Sequence, residues 1–214
     1  MITTIIFDMN GVITDDEHIH ELATKEVFFD IGIELTAEDY RAFCLGRTDV
    51  AAFKDLFEEF DIQHQKTNDL IAKKSLRYQE LIKGNLKTYP GIVNFIKNQS
   101  TKYTLALTSS STYDEVIGVV NLLHIKDYFK VIITANDVKH GKPHPEPYLL
   151  TAKQLNVNPT ECLVLEDSEN GVLSAITARM ICVAITNTEV EKKLVKAHYI
   201  IEHLEALKSI LDEV

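Results

Sequence analysis

Cysteines, basic residues and long apolar runs are all scarce in this sequence. The three cysteines, Cys44, Cys162 and Cys182, form no CxxC pair, so a disulfide framework is excluded and a reduced, cytoplasmic setting is expected. Lys and Arg total 22 against 32 Asp and Glu, a formal charge of -10, so the basic surface that nucleic acid requires is missing. No apolar run is long enough to span a membrane. The first residues lack the pattern of a secretory leader, and we expect neither a nucleic-acid nor a membrane partner.

The rest of the composition is ordinary for a globular protein. Hydrophobic residues make up 45% of the 214 residues and charged residues 25%, which allows one domain or one domain with an insertion. The acidic balance makes general attraction of phosphate weak, so an anion must be held by a local cluster of cations or by a metal ion. We expect a monomer or a weak homodimer.

The N-terminal stretch ends an apolar run abruptly in a carboxylate. Residues 4–7 are β-branched or aromatic without polar alternation, which is typical of a fully buried strand. Asp8 then lies at the strand's carboxyl end, the edge of a parallel sheet where ligands bind, and Gly11 permits a sharp turn. A carboxylate there can be a nucleophile, a metal ligand or both. Taken alone, Asp8 is more often a turn former or a helix cap.

Residues 16–83 have a helical pattern with no strand among them. Leu22, Glu26 and Phe29 are predicted to share one face of a first helix. Thr36, with an aspartate three residues later, predicts a capping box for a second helix. The spacing of apolar residues predicts two more helices before residue 84.

Strands and helices alternate from residue 84 onward. This alternation, with apolar strands, predicts a doubly wound, Rossmann-like α/β fold whose mostly parallel sheet is covered by helices on both faces. Residues 1–15 and 84–214 are predicted to form the core domain, with the strand before Asp8 at its centre. Residues 16–83 are predicted to form an inserted four-helix cap domain.

Three more polar clusters come after predicted strands, the second of them within the loop that follows its strand. They are Thr108-Ser109-Ser110, Gly141-Lys142-Pro143 and Glu166-Asp167-Ser168. Because the carboxyl ends of parallel strands meet at one edge, these groups should gather beside Asp8. Carboxylates, a hydroxyl and a lysine suit a divalent cation and a phosphate. For any one of them alone, a helix cap or a surface charge is the better interpretation.

The order and spacing of these clusters resemble the haloacid dehalogenase superfamily, in particular its phosphatases and phosphomutases with a small helical cap. The resemblance covers the whole chain, and Thr14-Asp15, His20, Lys74 and Tyr78 resemble the β-phosphoglucomutase subgroup. Four motifs carry it in the family's order: Phe7-Asp8-Met9-Asn10-Gly11-Val12, Ser109 after Leu105-Ala106-Leu107-Thr108, Gly141-Lys142-Pro143, and Leu165-Glu166-Asp167-Ser168-Glu169-Asn170-Gly171.

The resemblance implies a role for each motif. Asp8 would attack phosphorus and form an aspartyl-phosphate, while Ser109 and Lys142 neutralise charge on the transferring group. The implied cofactor is Mg²⁺ and the implied partner a small phosphorylated metabolite. The implied Mg²⁺ ligands are Asp8, Asp167, the main-chain carbonyl of Asn10, and Glu166 through water. The implied substrate-binding residues are Ser110, His20, Arg47 and Lys74.

Asn10 departs from the family pattern. Members that transfer or hydrolyse phosphate esters normally have an aspartate there, which protonates the leaving alcohol and later deprotonates the attacking nucleophile. An amide can do neither. Asn10 is either an engineered trap, a natural residue in an enzyme that uses activated leaving groups or another acid and base, or a sign of a binding or regulatory protein. We still expect a phosphatase, with activity reduced by Asn10.

Arg47 and His20 also leave alternatives open. Arg47 either grips a substrate phosphate or forms a salt bridge with Asp49 or another neighbour. His20 either orients substrate and assists proton transfer or is a partly buried helix residue. The predicted function is Mg²⁺-dependent hydrolysis of a small phosphate monoester, with a sugar or polyol phosphate as the expected substrate. The alternatives are a phosphomutase of the β-phosphoglucomutase type and a non-catalytic protein that binds a phosphorylated metabolite.

Overall fold

The computed structural model describes residues 1–63 and 66–214, in which six strands form one parallel sheet. The strand order is β3-β2-β1-β4-β5-β6, and every neighbouring pair is parallel. The predicted fold class and the central position of the first strand are confirmed. The strands are β1 (Thr4–Phe7), β2 (Thr104–Thr108), β3 (Val131–Ile133), β4 (Cys162–Glu166), β5 (Ile181–Ile185) and β6 (Tyr199–Ile201).

Helices connect the strands and cover the sheet. Four helices follow β1 before the next helix of the core begins, and they lie within the range predicted for the cap. The division into domains at residues 15–16 and 83–84 stays a prediction. The helices are α1 (Glu17–Phe29), α2 (Ala37–Phe43), α3 (Asp49–Glu59), α4 (Thr67–Leu81), α5 (Ile92–Gln99), α6 (Tyr113–Leu122), α7 (Glu146–Leu155), α8 (Glu169–Thr177), α9 (Glu191–Leu194) and α10 (Ala206–Glu213). Within the described residues, no helix has the length and apolar character needed to cross a membrane.

Strand β1 is buried on both faces of the sheet. Ile5 and Phe7 belong to one hydrophobic cluster and Ile6 to another, and all three are inaccessible to solvent. Alternate side chains of a strand point to opposite faces, so the two clusters are the layers between the sheet and its helices. This burial explains why residues 4–7 are continuously apolar. It also fixes Asp8 at the edge of the sheet, where its main-chain N–H donates to the Leu165 carbonyl at 3.0 Å.

The face of α1 that carries Leu22, Glu26 and Phe29 is not its buried face. Leu22 and Phe29 are 45% and 71% exposed, whereas Ile19, Ala23 and Val27 are buried. The buried stripe lies one position away because α1 packs against α4, and Ile19 and Ala23 belong to the same hydrophobic cluster as Tyr78 of α4. The predicted capping box at Thr36 is confirmed.

Gly171 in α8 has no room for a side chain. A Cβ atom there would lie 1.8 Å from Oε1 of Glu166, the last residue of β4. Gly118 in α6 is also helical, but its Cβ would meet only Ile82 Cδ1 at 3.8 Å, an ordinary contact. Gly171 therefore permits the close approach of α8 to the carboxylate that ends β4.

These two glycines give a matched test of the packing. Gly171→Ala should lower the free energy of unfolding by about 1–3 kcal/mol because Glu166 must move. Gly118→Ala should raise it by up to about 1 kcal/mol because alanine is the better helix former. Urea denaturation measures both values. Similar shifts in the two variants would contradict the packing described here.

Candidate active site

A cavity beneath the cap gathers most of the predicted site residues at the carboxyl edge of the sheet. Ser109 and Glu166 lie behind the cavity wall and are buried. The predicted residues that line the cavity are Asp8, Asn10, His20, Arg47, Lys74, Ser110, Lys142 and Asp167. The turn after β1, the loops after β2 and β4, and the segment after β3 supply the core residues among them. The expected gathering of the motifs therefore occurs.

Lys142 is buried between two carboxylates. Its ammonium group donates to Oδ1 of Asp8 at 2.5 Å, to Oε1 of Glu166 at 2.6 Å and to the Thr108 carbonyl at 3.2 Å. Burial lowers the pKa of Lys142, but the charges of Asp8 and Glu166 outweigh that effect and hold the pKa above its ordinary value. Lys142 therefore stays protonated and can balance negative charge on a bound group.

Glu166 already has hydrogen bonds to both of its carboxylate oxygens. Oε1 accepts from Lys142 and, at 2.7 Å, from the Tyr148 hydroxyl. Oε2 accepts from the main-chain N–H of Asp167 at 3.0 Å, and from the N–H and hydroxyl of Ser168 at 3.2 and 3.1 Å. Burial raises the pKa of Glu166, but Lys142 and these donors outweigh it and lower the pKa. Glu166 is an ionised anchor that positions Lys142 and the turn carrying Asp167.

Asp8, Glu166 and Asp167 form a buried acidic cluster whose oxygen atoms lie within 4.8 Å of one another. Burial raises the pKa of Asp8 to about 7. Burial and the charges of Glu166 and Asp8 raise the pKa of Asp167 well above its ordinary value. The cluster supplies carboxylate oxygens and has too little positive charge nearby to balance them, which suits a hard divalent cation. Gly11 makes room for this cluster, because a Cβ there would lie 1.8 Å from Oδ2 of Asp167.

Asn10 is fixed by hydrogen bonds from both ends of its amide. Nδ2 donates to both carboxylate oxygens of Asp16 at 3.1 Å, and Oδ1 accepts from the Ser111 hydroxyl at 2.8 Å and the Ser109 hydroxyl at 3.4 Å. Asp16 itself is inaccessible to solvent and also accepts from the Tyr78 hydroxyl. The carboxylate of Asp16 therefore faces Asn10 instead of capping α1.

His20 and Lys74 belong to a second buried polar network, which joins the cap to the core. Lys74 Nζ lies 2.9 Å from Nδ1 of His20, and it donates to Asp49 of α3 at 3.0 Å and to Glu115 of α6 at 3.1 Å. His20 Nε2 lies 2.9 Å from Nδ2 of Asn10. Burial, together with the charge of Lys74, lowers the pKa of His20 well below its ordinary value. His20 is therefore neutral and positioned against Asn10.

Arg47 lines the cavity, but its guanidinium group is paired with a neighbour. It donates to the Asp55 carboxylate at 2.6 Å and to the Phe43 carbonyl at 2.9 Å. The salt bridge is thus made with Asp55 and not with Asp49, which pairs with Lys74. A contact of Arg47 with substrate stays a prediction.

Sequence reasoning missed Glu17 and Tyr40, which also line the cavity. The Tyr40 hydroxyl donates to Oε1 of Glu17 at 2.6 Å. Glu17 begins α1, and an acidic residue in a first turn normally signals only the helix dipole. The signal that was available is the run of three carboxylates from Asp15 to Glu17 beside the first motif.

This geometry fits a site for phosphoryl transfer at the edge of the parallel sheet, and the known proteins that this chain resembles are enzymes of the same class. The family described as haloacid dehalogenase-like hydrolase matches residues 5–185. The phosphorylated carbohydrates phosphatase of Thermotoga maritima is 33% identical over 180 residues, covering 81% of this chain and 80% of its own. Hexitol phosphatase B of Escherichia coli K12 is 27% identical over 195 residues, covering 89% of this chain and 86% of its own.

Solved structures agree with the fold. A crystal structure of β-phosphoglucomutase from Clostridium difficile superposes with a TM-score of 0.86 at 28% identity, covering 100% of this chain and 98% of its own. The chain belongs to the haloacid dehalogenase-like hydrolases. The family resemblance and the prediction of a hydrolase are confirmed.

The acidic cluster leads to a prediction about stability. Asp167→Asn should raise the melting temperature in the presence of EDTA, because it removes one of three carboxylates that repel one another. Addition of MgCl₂ should stabilise the unsubstituted protein, by about 2.7 kcal/mol at a concentration of 100 Kd. It should not stabilise the variant, because a ligand is missing.

Differential scanning calorimetry with and without MgCl₂ measures both effects. Asp127→Asn, at an exposed position outside the cavity lining, is the matched control and should behave as the unsubstituted protein. Equal Mg²⁺-dependent shifts for Asp167→Asn and the control would show that the cluster does not bind the ion.

Proposed function

We propose that this protein hydrolyses a small phosphate monoester, a sugar or polyol phosphate, with Mg²⁺ as cofactor. The observation that carries the proposal is the juxtaposition of Asp8, Lys142 and Asp167 in one buried cluster at the floor of the capped cavity. A carboxylate nucleophile, a fixed cation and a cation site are the three requirements of phosphoryl transfer to an aspartate.

Asp8 is the proposed nucleophile. One of its oxygens attacks phosphorus in line, the bond from phosphorus to the leaving alcohol breaks, and an aspartyl-phosphate forms. Lys142, held at 2.5 Å from Oδ1 of Asp8, favours the ionised carboxylate and balances the charge of the phosphoryl oxygens. Asp8, Asp167 and the main-chain carbonyl of Asn10 would hold Mg²⁺, whose positive charge reduces repulsion between the carboxylate and the phosphate.

A water molecule then attacks phosphorus, and the bond to Asp8 breaks to release phosphate. The cap limits the number of water molecules that reach this intermediate. Cap residues give the cavity polar walls, including Glu17, Arg47 and Asp49, which suit a ligand rich in hydroxyl groups. The names of the Thermotoga maritima and Escherichia coli relatives support the same substrate class.

A phosphomutase is the second candidate, and the structural similarity to a β-phosphoglucomutase favours it. A mutase must hold the second phosphate of a bisphosphate intermediate. Arg47 and Lys74 are cavity cations outside the acidic cluster, but Arg47 is already paired with Asp55, and Lys74 with Asp49 and Glu115. These pairings are why we rank hydrolysis first.

Phosphate release from a panel of sugar and polyol phosphates tests the proposal. The protein should release phosphate in the presence of MgCl₂ and lose this activity in EDTA. Asp8→Asn should lower kcat by a factor on the order of 10⁴ or more, because no nucleophile remains. Circular dichroism should show that the variant is folded.

Three outcomes separate the alternatives. Isomerised sugar phosphate without net phosphate release would support the mutase. Tight binding of a sugar phosphate without either product would support a binding protein and contradict the hydrolase. Phosphate release that survives Asp8→Asn would remove Asp8 as the nucleophile.

A further inference from the structure

Hydrolysis of an alkyl phosphate needs a group that first gives a proton and then takes one. The leaving alkoxide must be protonated, and the attacking water must lose a proton. Asn10 can do neither, and its amide is held by Asp16 and Ser111. The inference that follows rests on the proposed function and asks which residue of this chain performs the proton transfers.

Four carboxylates line the cavity, and three of them already have a partner or a role. Asp8 is paired with Lys142 and Asp49 with Lys74, and Asp167 belongs to the acidic cluster. Among the residues that the structure describes, Glu17 has no cationic partner within salt-bridge distance.

Glu17 is also positioned for proton transfer. Its Oε1 accepts from the Tyr40 hydroxyl at 2.6 Å, which fixes the side chain. In the described part of the chain no hydrogen bond reaches Oε2, so that oxygen is available to a ligand. Glu17 begins α1 and lines the same cavity as Asp8, Asn10 and Asp167.

We propose that Glu17 is the general acid and general base of this enzyme, in place of the aspartate that Asn10 replaces. In the first step the carboxylic acid of Glu17 gives its proton to the leaving oxygen as the bond from that oxygen to phosphorus breaks. In the second step the carboxylate of Glu17 takes a proton from water as the water oxygen bonds to phosphorus and the bond to Asp8 breaks. Glu17 is then protonated again, and no other reactant is required.

The electrostatic environment supports this role. Burial raises the pKa of Glu17 to about 7, with Tyr40 and Lys74 lowering it and Asp16 and Asp49 raising it. Asp8 and Asp167 also interact with its charge. An acid whose pKa is near the working pH populates both protonation states that the two steps require.

The two neighbouring candidates lack a transferable proton or access to the substrate. Both ring nitrogens of His20 already have close neighbours, Lys74 and Asn10, and the low pKa of His20 leaves it no acidic proton to give. Asp16 is inaccessible to solvent and does not line the cavity.

Glu17→Gln distinguishes proton transfer from simple substrate binding. With glycerol phosphate, an alkyl ester, kcat/KM should fall by about 10²-fold or more. With 4-nitrophenyl phosphate the loss should be less than about 5-fold, because a phenolate leaves with little need of a proton. Glu38→Gln changes an exposed glutamate in the first turn of another cap helix and should leave both rates unchanged.

The pH profile gives a second test that does not require this substitution. For the alkyl ester kcat/KM needs protonated Glu17, so it should fall as the pH rises through about 7. Tyr40→Phe removes a hydrogen bond that lowers the pKa of Glu17, so the descending limb should move to higher pH. The limb should be absent in Glu17→Gln.

Several results would overturn the assignment. Equal losses on the two esters, an effect on KM alone, or no loss would show that Glu17 is not the acid. A descending limb that is unchanged in Tyr40→Phe would do the same. If the unsubstituted protein hydrolyses neither ester, the proposed function itself is wrong. If it hydrolyses both, but Glu17→Gln does not discriminate between them, only the role of Glu17 is wrong.

Discussion

The acidic cluster depends on its ion pairs with the buried ammonium group of Lys142. Lys142 contacts Asp8 and Glu166 directly, and Asp167 adds a third carboxylate within 4.8 Å of the others. Buried charges without partners cost several kcal/mol each, so one lysine leaves this cluster short of positive charge. The rest of the site follows from that shortage. Glu166 is stabilised by main-chain and hydroxyl donors, small residues leave space for the carboxylates, and the remaining deficit fits a divalent cation.

The helices of the predicted cap cover the cavity and also shift the pKa values of the groups that line it. Lys74 joins Asp49 of the cap to Glu115 of the core, so the two parts share a buried ion-pair network. These helices bury the side chains that line the cavity, and burial is the first cause of the shifts that raise the pKa of Glu17 and lower that of His20. The same helices therefore close the cavity and set which groups in it can exchange protons.

The core of this protein could be predicted from its sequence more fully than the cap. Continuous apolar strands followed by polar clusters were enough to bring Asp8, Lys142 and Asp167 to one sheet edge, because parallel strands fix where their ends meet. The spacing of Leu22 and Phe29 did not indicate which face of α1 is buried, since that face depends on long-range contacts with α4. Glu17 resembles an ordinary acidic residue in the first turn of a helix until its burial is known. The pairing of Arg47 with Asp55 depends on the path of the chain from Arg47 into α3.

Mass spectrometry of the protein, quenched in acid during turnover of a phosphate monoester, tests the assignment of Asp8 most directly. The nucleophilic role of Asp8 predicts a phosphoryl group on the peptide that contains this residue, present only when substrate and Mg²⁺ are both supplied. A phosphoryl group on any other peptide, or turnover by direct attack of water on the substrate without a covalent intermediate, would contradict it.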